Sequence, residues 1–374
     1  MSGFSRNWAA RREKKAFLAL ADGTVILGWS CGAAVDRLGE VVFNTGMTGY
    51  EEILTDPSYA GQLVTLTMPE IGNTGFNRED HESAAIHASG LIVREWNPPS
   101  NWRSEEILEA ALNRWQVPAL AGIDTRALTL QLREGGTQKA YLCATGAVSP
   151  EEAVAQARAW EGLDGQDYAS KVSTPVAYDW TGELLANAPL VAVLDCGIKF
   201  NTLRLLEREG FRVRVLNAHV PAADVLALNP AGVMLSNGPA DPAALPYAAE
   251  TIRGLLGKVP IMGICLGHQL LGLALGGRTC RLKFGHHGCN HPVKDLRAGT
   301  VEITSQNHNY VVAADSLDPA VAEITHVSLN DGTVEGLEAK KVPAFSLQYH
   351  PEAAPGPRDA ISAFARFRAM MAKA

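Results

Sequence analysis

Hydrophobic and polar positions alternate along this chain in two distinct regimes. In the first half, short apolar runs repeat with a period of two, separated by turn residues. "KAFLALADGTVILGW" predicts a hairpin turning at Asp22-Gly23, and "GEVVFNTG", "GQLVTLTMP" and "SGLIVREW" predict further strands. Only "SEEILEAALNRW" and "TRALTLQLREGG" show the 3.6-residue spacing of amphipathic helices. After a stretch of weak periodicity at residues 171–189, the pattern becomes regular. Buried strands are predicted at 190–195, 211–216, 231–236 and 259–264, with helices at 201–209, from about 222, within 243–257 and from 266. Strands alternating with helices of this length imply parallel βαβ units and a doubly wound sheet. The predicted fold class is therefore α/β: a C-terminal doubly wound, mostly parallel sheet preceded by a smaller, β-rich α+β domain. The domain bounds expected are 1–180 and 189–374, with residues 1–15 as a disordered tail ahead of the first strand.

The helix opening at Leu266 follows its strand through "GICLGHQ". Cys265 stands between Gly263 and Gly267 at a strand-to-helix junction. A turn of the G-x-nucleophile-x-G kind presents its side chain at the carboxyl end of a sheet, where doubly wound proteins bind ligands. Glycine at 263 and 267 removes the Cβ atoms that would crowd such a turn. A cysteine in front of a helix meets the partial positive charge of the helix end, which favours the thiolate. The N–H of Leu266 is placed to bind an oxyanion. The base comes from "AFSLQYHPEAAPGP", where His350 and Glu352 flank a proline at the end of a strand. Glu352 would hold one ring nitrogen and leave the other to face the thiol.

A chain of 374 residues accommodates two domains. A net charge of −7 gives no general attraction to nucleic acid, and no apolar run approaches the ~18 residues of a membrane span. Six scattered cysteines do not make a disulfide framework. The expected location is the cytoplasm. The cluster "GHHGCNH" raises a zinc reading through His286, His287, Cys289 and His291. Its ligands are crowded into six residues with no second cluster, so no metal is expected.

"GICLGHQ" with "HPEA" resembles the class I (triad) glutamine amidotransferases. "GEVVFNTGMTGYEEILTDPSYAGQLVTLTMPEIGNTG", "AGIDTRALTLQLREGG", "KFGHHGCNHPVKD" and "SQNHNYVVAADSL" resemble one family among them, the small chains of glutamine-dependent carbamoyl-phosphate synthase. That resemblance implies hydrolysis of L-glutamine to glutamate and ammonia through a glutamyl thioester on Cys265. His350 would be the general base and acid, and Glu352 its orienter. Glutamine would be held by Ser58, Gly238, Ala240, Leu266, Gln269, Asn307, Asn309 and Tyr310. The implied partner is a large synthase chain in a hetero-oligomer. That chain receives ammonia through a tunnel and uses bicarbonate, ATP and magnesium, so no cofactor is expected here. The family commonly has glycine at positions 240, 289 and 309, serine at 46, an aromatic residue at 196 and phenylalanine at 310. Here these are Ala240, Cys289, Asn309, Gly46, Cys196 and Tyr310. The amidotransferase subunit of another synthase and a non-catalytic regulatory subunit are the alternative readings.

Overall fold

The computed structural model describes residues 12–180, 187–239 and 241–373. Two compact units divide between Leu163 and Asp164. The first contains β1 (Lys15–Leu20), β2 (Val25–Ser30), β3 (Arg37–Asn44), α1 (Tyr50–Thr55), β4 (Gln62–Leu66), β5 (Glu70–Ile71), β6 (Gly90–Ile92), β7 (Glu95–Trp96), α2 (Leu108–Arg114), β8 (Ala119–Ala121), α3 (Thr125–Gly135), β9 (Gln138–Cys143) and α4 (Pro150–Ala159). Seven of these strands close into a barrel in the order β1-β2-β8-β6-β4-β3-β9. Closure removes exposed sheet edges. The predicted hairpin forms, with Leu18 opposite Ile26. Of the expected tail, Lys15 already belongs to β1, and residues 1–11 lie outside the described residues.

The second unit contains α5 (Ala169–Val172), β10 (Tyr178–Asp179), β11 (Leu190–Asp195), α6 (Phe200–Arg208), β12 (Arg212–Asn217), α7 (Ala222–Ala227), β13 (Gly232–Leu235), α8 (Pro246–Leu255), β14 (Ile261–Ile264), α9 (Leu266–Ala274), β15 (Thr279–Asp295), β16 (Val301–Val312), β17 (Ala322–Ser328), β18 (Val334–Ala339), β19 (Ala344–Leu347) and α10 (Ser362–Met371). Their sheet runs β10-β12-β11-β13-β14-β19-β18-β17-β15-β16. Five strands, β12 to β19 in that order, are parallel, and the flanking strands pair antiparallel.

The period of two explains the double winding. Val191 and Val193 of β11 pack with Leu203 and Leu206 of α6 and Phe364 and Phe367 of α10. Ala192 and Leu194 face the other way, toward Val225 of α7, Ile252 of α8 and Leu270 and Leu271 of α9. The unit boundary lies upstream of the expected 180, because residues 164–180 are tied to this sheet. Tyr178 pairs with Val215. The Thr174 N–H donates to Asp195 at 2.7 Å, and the Ala218 N–H donates to Ser173 Oγ at 3.0 Å. Residues 181–186 lie outside the described residues. No described helix is long and apolar enough to cross a membrane.

Candidate active site

The parallel strands deliver three loops to their carboxyl ends, after β11, β13 and β14. Cys265 caps the N-terminus of α9 with φ 53° and ψ −106°, a left-handed conformation that costs a non-glycine residue about 1–3 kcal/mol. The surrounding structure enforces it. The Cys265 N–H donates to Leu347 O at 2.9 Å, and the Gly267 N–H donates to Ser236 O at 3.0 Å. A Cβ on Gly267 would lie 2.3 Å from Leu235 O, and one on Gly263 would lie 2.6 Å from Gly267 O. Both glycines are therefore required by close backbone approach. The Cys265 thiol is buried and directed at Asn307 O, 3.5 Å away. With the N–H groups of Gly267, His268 and Gln269 bonded within the protein, Leu266 is the first-turn donor that has no partner among the described residues.

β19 carries the base. The His350 N–H donates to Ser305 O at 2.9 Å, fixing the backbone where the strand ends. His350 Nδ1 lies 2.6 Å from Glu352 Oε1, with both side chains buried. The ring's Nε2 makes no hydrogen bond of ordinary length among the described residues. Burial disfavours a charged His350, yet the carboxylate of Glu352 and the sulfur of Cys265 outweigh it and raise the imidazole's proton affinity. The Glu352 carboxyl is pushed down to about 2; burial opposes this, and Lys199 and His350 overcome it.

Lys199 was not legible as a site residue. It sits in the loop after β11, 2 % exposed, with Nζ 3.2 Å from Glu352 Oε1 and also donating to Ala353 O. Asn201 Nδ2 donates to Glu352 O at 2.5 Å. The signal available was a lysine at the carboxyl end of a predicted central strand, in "GIKFN".

The predicted glutamine-holding residues of this unit, with one exception, contact the cysteine elbow or one another, and Asn307 O faces the thiol. Gly238 approaches Cys196 so closely that a Cβ would lie 1.9 Å from the Cys196 carbonyl oxygen, and it lies against Leu266. Gln269 Nε2 donates to Tyr310 O at 2.6 Å and to Gln348 Oε1 at 3.1 Å. His287 bridges Asn307 Oδ1 at 3.0 Å and Asn309 Oδ1 at 2.9 Å. Burial pushes His287 down to about 4. Asn309 lies within β16 without a positive φ, so no glycine is required there. Ala240 is the exception, lying outside the described residues. Ser58 belongs to the first unit, buried in the turn Pro57–Tyr59 with its N–H bonded to Asp56 at 2.9 Å.

The sequence cluster considered for zinc is not brought together as such. His287 is taken up by Asn307 and Asn309, and Cys289 lies toward Pro355 O at 3.5 Å. Among the described residues a different set, His286, His308 and Glu335, places three donor atoms within 4.8 Å of one another. Each faces a protein partner, although His286 Nδ1 and Glu335 Oε1 make no hydrogen bond among the described residues. His286 Nε2 is 2.8 Å from Asp331 and Nδ1 is 3.6 Å from Glu335. His308 Nε2 faces Gln306 Oε1 at 2.8 Å, and Gln306 Nε2 donates to Glu335 at 2.9 Å. Burial disfavours charge on His286, but Asp331 and Glu335 raise it to about 9. The arrangement is a buried ion-pair network that pins the β15–β16 hairpin to β18.

Residues 18–142 match the model of the carbamoyl-phosphate synthase small chain, CPSase domain, and residues 192–370 match class-I glutamine amidotransferase. The carbamoyl phosphate synthase small chain of Syntrophotalea carbinolica is 52% identical over 96% of this chain and 98% of its own. Those of Ralstonia nicotianae (96% and 97% covered) and Bacillus caldolyticus (95% and 96%) are each 51% identical. With a strained cysteine elbow and a buried His-Glu pair at the carboxyl edge of its sheet, and with relatives matched from end to end, the chain belongs to the family of carbamoyl phosphate synthase small chains.

Proposed function

We propose that this chain hydrolyses L-glutamine on Cys265 and passes the ammonia to a large synthase chain, which makes carbamoyl phosphate from bicarbonate and ATP. The observation that carries the proposal is the conjunction of a left-handed cysteine at a helix N-terminus with a buried imidazole held by a carboxylate. His350, its proton affinity raised, draws the proton from the thiol. Sγ attacks the amide carbon of the glutamine side chain, and the Leu266 N–H takes the developing oxyanion. His350 returns the proton to the departing nitrogen, leaving a glutamyl thioester and ammonia. Water, deprotonated by His350, then cleaves the thioester to glutamate and restores the thiol.

Glu352 keeps the imidazole in the required tautomer, and Lys199 keeps Glu352 ionised. Gln269, Asn307, Asn309, Tyr310 and Gly238 form the walls that hold the substrate's amino-acid end, with Ala240 and Ser58 assigned to the same task. Ammonia released to bulk water near pH 7 would be protonated and lost as a nucleophile, which is the reason for an internal tunnel to the partner. ATP and magnesium belong to that partner.

The test is Cys265→Ser in the complex with the large chain. A hydroxyl at this elbow is a far poorer nucleophile, so glutamine-dependent synthesis should be abolished while synthesis from added ammonia persists. Loss of both together would show a structural cysteine and overturn the assignment.

A further inference from the structure

The segment that opens the second unit reaches a wall of the proposed glutamine pocket at Tyr310. Asp164 accepts a hydrogen bond from the Tyr310 hydroxyl and pairs with the Arg281 guanidinium. That guanidinium lies over the Tyr310 ring, 5.7 Å from its centre. One residue on, the Gly165 N–H donates to Asp241 Oδ2 at 3.2 Å, and Asp241 Oδ1 accepts from the Ala243 N–H at 2.9 Å.

Tyr310 is gripped at both ends. Its main-chain carbonyl receives Gln269 Nε2 at 2.6 Å, and its hydroxyl reaches Asp164. The ring is buried. Burial and the bond to Asp164 both keep the phenol protonated, so it acts as the donor. Phenylalanine at 310 would pack equally well but could not make this contact.

We propose that Asp164 is a positioning residue for glutamine binding. With Arg281 it latches the Tyr310 hydroxyl, and through Tyr310 it fixes the carbonyl that orients Gln269. The proposal rests on the glutamine-hydrolase reading above. The Asp164 side chain is 59% exposed, so the ion pair with Arg281 is screened and the phenol contact supplies most of the effect.

Glutamine binding to the Cys265→Ser chain, measured by calorimetry, tests this without turnover. Asp164→Ala in that background should weaken Kd about three- to tenfold. Tyr310→Phe should weaken it by a similar factor, and the double variant by no more than either single one. Asp164→Asn retains an acceptor for the phenol and should restore most of the affinity. In the complex with Cys265 intact, Asp164→Ala should raise glutamine KM by the same factor, leave kcat within about twofold, and spare ammonia-dependent synthesis. An unchanged Kd, additive losses in the double variant, or a fall in kcat at constant KM would each overturn the latch. If the Cys265→Ser chain binds no glutamine at all, the reading of the pocket falls and the latch with it. Binding that is indifferent to Asp164 overturns the latch alone.

Discussion

Replacing Lys199 by methionine would leave the Glu352 carboxylate buried with His350 as its one cationic neighbour among the described residues. The ammonium and carboxylate are 3.2 Å apart, with side chains 2% and 0% exposed. At an effective dielectric constant of about 20, their attraction is about 5 kcal/mol, part of which is consumed by desolvation. Methionine has nearly the same length as the lysine stem, so packing is retained and the loss is electrostatic. Breaking a buried pair from one side costs about 3–5 kcal/mol, and that is the expected fall in unfolding free energy for Lys199→Met at pH 7, measured by denaturant titration.

Glu352→Gln strips the same pair from the other side, stranding the ammonium, and should cost a similar amount. The double variant contains neither charge. It should recover much of the loss, with a coupling energy of about 2 kcal/mol or more. The pH dependence has a definite sign. The Glu352 pKa is depressed from 4.5 to about 2, so its contribution is fully present above about 4.5 and is lost as pH falls through about 2. In Lys199→Met the folded-state value moves back toward 4.5, so this acid loss should be smaller and should finish at a higher pH. A single substitution costing less than about 1 kcal/mol, or a double variant whose loss equals the sum of the singles, would refute the reasoning.

His350→Asn removes the proton carrier and should lower glutamine turnover by about 10²–10⁴-fold, and by more than Glu352→Gln, which preserves a partner for the ring; equal losses in steady-state assays would refute the two roles. Gly238→Ala would place a Cβ 1.9 Å from the Cys196 carbonyl. The displaced loop should raise glutamine KM and cost about 1–3 kcal/mol in denaturant unfolding, and a variant unchanged in both would contradict the close approach. Asn309→Ala removes the Oδ1 that faces His287 Nε2 at 2.9 Å, for an expected loss of about 0.5–1.5 kcal/mol by the same measurement. We expect the first unit to help form the docking surface for the large chain. A chain beginning at Asp164, which retains β10, should fold yet fail to join that partner; full-affinity binding in a pull-down would refute the docking role.

Much of the second unit was legible because its signals are local. The strand period and the Gly263-to-Gly267 turn each depend on a few neighbouring residues. The structure places β11, β12, β13, β14 and β19 near the predicted positions. The His350-Pro351-Glu352 pairing was equally local, since a single residue separates base and orienter.

What the sequence could not reveal depends on contacts between residues distant in the chain. The barrel closes because β9 pairs with both β1 and β3, bringing Phe17 beside Cys143. No local pattern encodes that choice of partner. The long β15–β16 hairpin was hidden because it buries Gln306, Asn307, His308 and Asn309 in succession. Such polar residues erase the apolar alternation, and they are tolerated because each finds hydrogen-bond partners. α1 spans only Tyr50–Thr55, too short to establish a helical period. Lys199 and Asp164 looked like ordinary polar loop residues. Lys199 gains its role from a carboxylate more than 150 positions away, and Asp164 from a phenol almost as distant. Local propensity determined the nucleophile's turn and the strand carrying its base. Tertiary packing decided which charges meet, because only the folded sheet brings its loop ends together in a volume from which water is excluded.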